Sequence, residues 1–261
     1  MKKFDAESLY NMMSLFTMIQ IERKVDDEIV NSEDIEQNNQ MLNLSIIELI
    51  HFNLPQSLKY AERMQREFSS GNYKNREFKN SVGILRERIQ DELADIIFMF
   101  IPKDEAPYFQ NERIFGEEVA VKFPQASEDI AEAGNCLAMG RYTACIFHLM
   151  RVVEYGLRAL AKDLRIKFTR SPSTPVELRE WGEIINAIET KIGEIEKRKR
   201  THKREFDLEF YHGAGAQFRH FKNAWRNHVM HTRAHYDESQ AKSVMSHVRE
   251  FMQHLATRLH G

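Results

Sequence analysis

The chain has little of what a disulfide-stapled or loop-rich protein uses: its 261 residues include two cysteines, six prolines and eleven glycines. Two thiols cannot form a disulfide framework, so the composition favours a reducing compartment. Few helix-breaking residues favour long helices over many turns. The formal net charge is −2, which excludes a polycation. Any nucleic-acid binding must therefore come from a local basic surface.

Long apolar runs are missing as well. The longest covers residues 96–101 and is far too short to span a bilayer. The first residues include two lysines, but no apolar stretch follows them, so we predict no signal peptide. We therefore expect a cytoplasmic protein with no membrane partner. The proportions of hydrophobic residues, 42%, and charged residues, 29%, are ordinary for a globular chain.

The N-terminal half shows the helical spacing of apolar residues. We predict helices over residues 4–30, 41–52, 56–68 and 75–101, with a polar turn or a frayed helix end over 31–40. The last of these helices has the most regular apolar stripe, formed by Phe78, Val82, Leu85, Ile89, Leu93, Ile96 and Phe100. A core helix explains this stripe, and a coiled-coil or dimer seam is the alternative.

Residues 102–124 break the helical pattern with three prolines, and we place a domain boundary here. Residues 1–124 are predicted to form a helical region for dimerisation, regulation or target sensing. Residues 125–261 are predicted to form a second helical domain. Within the break, residues 115–123 are predicted to be a short extended segment. The predicted fold class is all-α.

The C-terminal half has helical spacing and terminal residues that suit helix ends. We predict helices over residues 127–139, 141–164, 181–195 and 216–231, and a final helix that begins at Asp237. Ser127 is the predicted N-cap of the first, and Gly140 its C′ residue. Asp237 and Gln240 have the spacing of a capping box. Residues 170–175 are predicted to be a loop, and the glycine-containing stretch 213–215 is predicted to interrupt the chain before residue 216.

Carboxylates are absent from residues 211–236. This stretch instead holds four arginines and lysines and five histidines, which are Arg219, Lys222, Arg226, Arg233, His212, His220, His228, His231 and His235. A cation-rich surface without carboxylates suits a phosphate-bearing ligand. Histidine adds a group that titrates near neutral pH.

The predicted helix over 216–231 has two faces. Its apolar face is formed by Phe218, Phe221, Trp225 and Val229, and its polar face by Arg219, His220, Asn223, Arg226, Asn227 and His231. At the angular step of an α-helix, Arg226 and His231 lie about 140° apart. Asn227 lies between them. These three residues are the candidate functional centre.

The motif Arg226-Asn227-His228-Val229-Met230-His231 resembles the Arg, polar residue, spacer, His signature of the HEPN (higher eukaryotes and prokaryotes nucleotide-binding) superfamily. Its context is similar too: an amphipathic helix pair precedes it, with residues 141–154 at the start of the second helix, and a capped helix follows it. The resemblance covers residues 127–261. Residues 115–124 also look like the lead-in of uncharacterised bacterial members.

The resemblance implies metal-independent RNA cleavage, without a cofactor, at a composite site where the motifs of two protomers meet in a homodimer. In this scheme a ribose 2′-OH attacks the adjacent phosphorus, which makes the activity RNA-specific. His231 is the candidate general base or acid. Arg226 would hold the phosphate and stabilise its charge. Asn227 would orient His231 or a phosphate oxygen.

Further polar residues are candidates for supporting the site or binding RNA: Glu154, Arg151, Arg219, Lys222, Asn223 and His228. Glu154 and Arg151 are equally well explained as a surface ion pair one helical turn apart. His228 lies near the apolar side, which favours packing or an interface. The resemblance further suggests a toxin–antitoxin or phage-defence setting, with an antitoxin protein as a second partner.

Several other interpretations stay open. Arg226 and His231 could be a solvated helix face with a cation at its C-terminal end. The same face could belong to a non-catalytic module that binds a nucleotide, RNA or a protein, or the protein could serve dimerisation alone. His228, His231 and His235 have helical spacing, but no carboxylate accompanies them, so we predict no metal site. The basic run 197–204 is either a solvated helix end or a guide for the RNA backbone.

Overall fold

The computed structural model describes residues 6–21, 27–69, 71–168, 173–231 and 235–261. It confirms the all-α class: within these ranges the chain forms helices and one isolated bridge between Ile29 and Lys74, without a strand. Two compact units divide the chain, residues 1–99 and 100–261, and each is described by itself. None of the helices in the described ranges combines the length and apolar character that a membrane crossing requires.

In its described residues the N-terminal unit contains four helices: α1 (Ala6–Ile21), α2 (Ser32–Phe52), α3 (Pro55–Phe68) and α4 (Asn75–Ala94). Their core includes Phe16, Leu42, Leu49, Met64 and Leu85, each fully buried. The buried part of the α4 stripe thus packs inside its own unit, which is the core-helix interpretation.

Three predicted bounds in this unit are wrong. Residues 31–40 are not a turn, because the Asn31 side chain accepts a 2.9 Å hydrogen bond from the Asp34 amide and caps α2. The first helix does not reach residue 30, since the amide of Val30 instead bonds to the Tyr73 carbonyl at 3.0 Å. Helix α4 ends at Ala94, and beyond it Phe100 is 85% exposed.

The C-terminal unit contains the remaining helices: α5 (Glu117–Lys122), α6 (Ser127–Ala138), α7 (Tyr142–Asp163), α8 (Trp181–Glu196), α9 (His202–Phe221), α10 (Asn227–Met230) and α11 (Glu238–Ala256). A π-helical segment, Lys222–Arg226, joins α9 to α10. The predicted extended segment over 115–123 is wrong, because α5 occupies most of it. Phe115, Val119 and Phe123 are buried in the core of this unit, which therefore begins before the predicted boundary at 124.

Helix α7 lies at the centre of this unit and contacts α6, α8 and α11. Its Gly156 permits close packing, since a Cβ there would lie 2.6 Å from Leu255 Cδ1. Two predicted helix-end signals are confirmed. Gly140 has a left-handed φ of 67° after α6, and Asp237 and Gln240 form the capping box of α11. Ser127 is not an N-cap, because its backbone is already helical.

Helix α9 is longer than the sequence predicts. It begins at His202, where the Thr201 hydroxyl accepts a 3.2 Å hydrogen bond from the Arg204 amide, and it runs through Gly213 and Gly215. Burial of Tyr211, Ala214 and Phe218 holds the helix across the two glycines, so tertiary packing outweighs their low helix propensity. The predicted interruption at 213–215 is therefore wrong. In the basic run 197–204, residues 197–201 form an exposed connection between α8 and α9, and residues 202–204 begin α9.

Candidate functional site

The candidate motif begins in the π-helical segment. The amide of Asn227 bonds to the Lys222 carbonyl, five residues back, instead of four. A π turn holds one extra residue, so the residues after it are turned by about 100° relative to an uninterrupted α-helix. The faces predicted for residues 216–231 therefore apply only up to Phe221. Beyond it, Arg226 turns towards the body of the unit and is half-buried, which corrects its predicted place on a solvated face.

The guanidinium of Arg226 stacks on a tryptophan at the start of α8. Its Cζ lies 4.9 Å from the ring centroid of Trp181, which is 1% exposed. The Trp181 indole Nε1 donates a 2.8 Å hydrogen bond to Glu154 Oε2, and the other carboxylate oxygen of Glu154 accepts from Arg158. Glu154 is thus linked to Arg226 through Trp181 and does not contact it.

A second cation points to the same place. The Lys222 ammonium lies so close to Gly182 that a Cβ at that position would come within 3.1 Å of Nζ. Across the described ranges, neither Lys222 nor Arg226 forms an ion pair with a carboxylate. The nearby Glu183 is paired with Arg179. Two unpaired cations beside the positive end of the α8 dipole are the electrostatic conditions that favour an anion.

The rest of the motif lies on and after α10. Asn227 and His228 are half-buried, while His231 is exposed and ends the helix with a φ of −113°. In the described part of the chain, no hydrogen bond or ring contact joins the side chains of Arg226, Asn227 and His231. One chain therefore does not bring these three predicted residues together through direct contacts.

Two of the predicted supporting residues have other partners. Arg151 donates through Nε to Asp129 at 2.7 Å, and Asp129 also binds His148 Nδ1 at 2.9 Å. The hydrogen bond to Asp129 raises the pKa of the Arg151 guanidinium. The surface ion pair predicted between Glu154 and Arg151 does not form, since Glu154 pairs with Arg158.

The remaining supporting candidates lie on α9 and the π segment. Arg219 donates through Nε to Glu189 at 2.7 Å, and this hydrogen bond raises the pKa of its guanidinium. Asn223 is exposed and Lys222 is half-buried. Of the predicted supporting residues, Lys222 lies close to the first turn of α8, as Arg226 does. Glu154 is linked to Arg226 only through Trp181.

Trp181, Gly182 and Arg158 also belong to the candidate site, and no sequence pattern predicts this. Trp181 is the first residue of α8 and lies far from the motif in sequence, so no local pattern connects them. A weak signal was available at Glu154, a carboxylate that directly follows the buried pair Val152 and Val153, because a half-buried charge requires a partner.

Nowhere in the described ranges do three or more histidine, cysteine, aspartate or glutamate side chains gather as metal ligands would. Residues 232–234, between His231 and His235, lie outside the described residues.

No protein-family model, no curated protein and no solved structure matches the chain.

Proposed function

We propose that the C-terminal unit is a HEPN-like, metal-independent endoribonuclease that uses Arg226, Asn227 and His231. The observation that carries this proposal is the half-buried Arg226 guanidinium, stacked on Trp181 and without a carboxylate partner in the described residues. A buried cation is costly unless an opposite charge accompanies it. A phosphate of RNA supplies that charge, with the Lys222 ammonium beside it.

The reaction needs one base and one acid. The base takes the proton of a ribose 2′-OH as its oxygen attacks the adjacent phosphorus, and the bond from phosphorus to the 5′ oxygen breaks. The acid protonates that leaving oxygen, which gives a 2′,3′-cyclic phosphate and a 5′-OH. His231 suits either role, and two protomers in a homodimer provide one histidine for each. Arg226 and Lys222 neutralise the charge that develops on the phosphate oxygens.

The direct test is RNA cleavage by the full chain in excess EDTA. Wild type should cleave and leave cyclic-phosphate ends, while Arg226→Ala and His231→Ala should lose at least about 100-fold in rate, the usual scale for such groups. Arg113→Ala is the matched control, because that exposed arginine of the same unit pairs with Glu117 and lies outside the candidate site. It should cleave within a few-fold of wild type.

Other results of this test count against the enzyme. Equal inertness of wild type and both variants would remove it, and retained activity of Arg226→Ala would remove the phosphate-holding role. A strict monomer in a sizing measurement, together with full activity, would remove the composite site. A toxin or defence role further requires that wild type, and not His231→Ala, arrests growth when it is expressed.

The second candidate is a non-catalytic module that binds RNA, a nucleotide or a protein. It is favoured by one observation: within the described residues, no hydrogen bond orients the ring of the exposed His231. A histidine that transfers protons usually has its second nitrogen held by a partner. This candidate predicts tight binding of uncleaved RNA that depends on Arg226 and is indifferent to His231→Ala.

A further inference from the structure

A ring-lined pocket opens between α9, the π segment and α11. It encloses about 410 Å³, and its walls are Ala216, Gln217, His220, Phe221, Trp225 and His247. Gln217, His220 and His247 are exposed, while Trp225 is half-buried. The pocket is therefore accessible from solvent and has aromatic walls.

The rings of this pocket contact one another closely. His247 stacks on Trp225 with centroids 5.8 Å apart and planes 23° apart. The ring of His220 packs edge-on against Trp225, with ring centroids 5.1 Å apart. The ring centroid of Phe221 lies 5.3 Å from that of Trp225. The π segment holds Trp225 in this position, one residue before Arg226, which stacks on Trp181. Trp225 therefore lines this pocket, whereas the next residue, Arg226, lies on Trp181 at the start of α8.

The chemistry of the walls suits a planar, polar heterocycle. No carboxylate lines the pocket, so it does not repel a polyanion. The Gln217 amide offers both a donor and an acceptor, and the imidazoles of His220 and His247 offer ring nitrogens that can do the same. Flat aromatic and imidazole surfaces bind bases by stacking, a mode typical of proteins that bind single-stranded RNA.

We propose that this pocket binds a nucleobase of single-stranded RNA. This inference rests on the proposed function for the identity of its ligand. An aromatic side chain of a protein would fill the same volume, but it would leave the Gln217 amide and both imidazoles without partners. A base has edge atoms for these groups, and the absence of a carboxylate from the walls leaves its phosphate unrepelled.

The test separates base binding from cleavage. A DNA hexamer of thymidine lacks the 2′-OH and stays intact, and an abasic hexamer carries the same phosphates without bases. Binding of each labelled oligonucleotide to the full chain is measured by fluorescence anisotropy in EDTA. We expect wild type to bind the thymidine hexamer at least about 10-fold more tightly than the abasic one, which is within the usual contribution of stacking to affinity.

A variant pair on α11 locates the base. His247→Ala should weaken binding of the thymidine hexamer by about five-fold or more and leave binding of the abasic hexamer unchanged. The matched control is His254→Ala, an exposed histidine two turns along the same helix, which packs on Phe210 at 5.2 Å. It should change neither affinity.

The pocket proposal is overturned if both hexamers bind alike, if neither binds, or if His247→Ala and His254→Ala behave identically. Its failure is distinct from failure of the proposed enzyme. Base-dependent binding without any cleavage of RNA would support the pocket and remove the ribonuclease. Cleavage that depends on Arg226, without a preference for bases, would do the reverse.

Discussion

Replacing Trp181 by phenylalanine tests the contact that carries the site. The substitution keeps an aromatic ring under Arg226 but removes the indole N–H that donates to Glu154 at 2.8 Å. A hydrogen bond to a charged group contributes about 1.5–3 kcal/mol. The smaller ring, at a position that is 1% exposed, loses about 1 kcal/mol more of burial. We expect Trp181→Phe to lower the free energy of unfolding by about 2–4 kcal/mol.

Tryptophan emission measures the effect of this substitution on unfolding. Both of its tryptophans, Trp181 and Trp225, belong to the C-terminal unit, so tryptophan emission reports the unfolding of that unit alone. Emission from Trp225 follows urea unfolding of the Trp181→Phe variant. The matched control is Trp225→Phe, followed by Trp181. The half-buried Trp225 has no hydrogen-bond partner for its indole nitrogen in the described residues, so we expect a loss below about 1 kcal/mol.

Two results would refute the reasoning. If Trp181→Phe costs no more than Trp225→Phe, the bond to Glu154 contributes nothing measurable. A double-mutant cycle with Glu154→Gln must also show coupling, because residues in one hydrogen-bond network are not additive. Additive effects of the two substitutions would place Glu154 outside the path that supports Arg226.

Three further predictions concern the fold of the C-terminal unit. Deleting the exposed Asn223 from the π segment should leave the unit folded, because the resulting α-helix keeps the downstream side chains in their present directions. Deleting Gly213 should unfold the unit, because the buried phenylalanines that follow would turn by about 100°. Urea unfolding compares the two deletions, and equal outcomes would contradict the prediction. Gly156→Ala should lose stability, because overpacking costs about 1–3 kcal/mol while helix propensity returns about 1; a rise in melting temperature would contradict the close packing of α7. Burial and the bond to Asp163 raise the pKa of Tyr211 to about 12, so the stability it contributes is present below pH 10 and lost as the pH rises towards 12; the advantage of wild type over Tyr211→Phe in urea midpoint should shrink over that window.

Helices whose ends carry local signals are those that the sequence predicts well. The predictions for α3, for α8 and for the start of α11 fall within one or two residues of the observed bounds, and the capping box of Asp237 and Gln240 needs only its own turn to form. The stripe of α7 is equally local, because its apolar spacing alone selects the buried face. Such features do not depend on the rest of the molecule.

Segments whose local composition disagrees with their packing are those that the sequence mispredicts. Residues 31–40 are polar because they form the exposed side of α2, and one cap at Asn31 suffices to begin the helix. Gly213 and Gly215 weaken a helix, but the burial of Tyr211 and Phe218 around them compensates. The contacts that bury Tyr211 and Phe218 come from residues distant in sequence, whereas the Asn31 cap is a local signal that polar composition conceals.

The candidate site also has a part that the sequence predicts and a part that depends on contacts between helices. The carboxylate-free stretch and the order of Arg226, Asn227 and His231 are visible in the sequence. The partner of Arg226 is not, because Trp181 comes from another helix and its own partner Glu154 from a third. Arg151 has the spacing of a partner for Glu154, but Asp129 on the neighbouring helix competes for it with a 2.7 Å bond.

The π segment is the feature that no periodicity analysis of this sequence detects. Phe218, Phe221, Trp225 and Val229 continue the spacing of an α-helix without a gap, although the extra residue leaves the last two only half-buried. A regular helix would bury more of their apolar surface and leave Arg226 in solvent, so packing alone does not explain the π turn. The stacking of Arg226 on Trp181 returns about 0.5–2 kcal/mol, and it brings a second cation next to Lys222. Two adjacent cations repel each other unless an anion lies between them. A phosphate bound as proposed would compensate for that repulsion, and the affinity difference between Arg226→Ala and wild type for phosphate-bearing oligonucleotides tests the proposal.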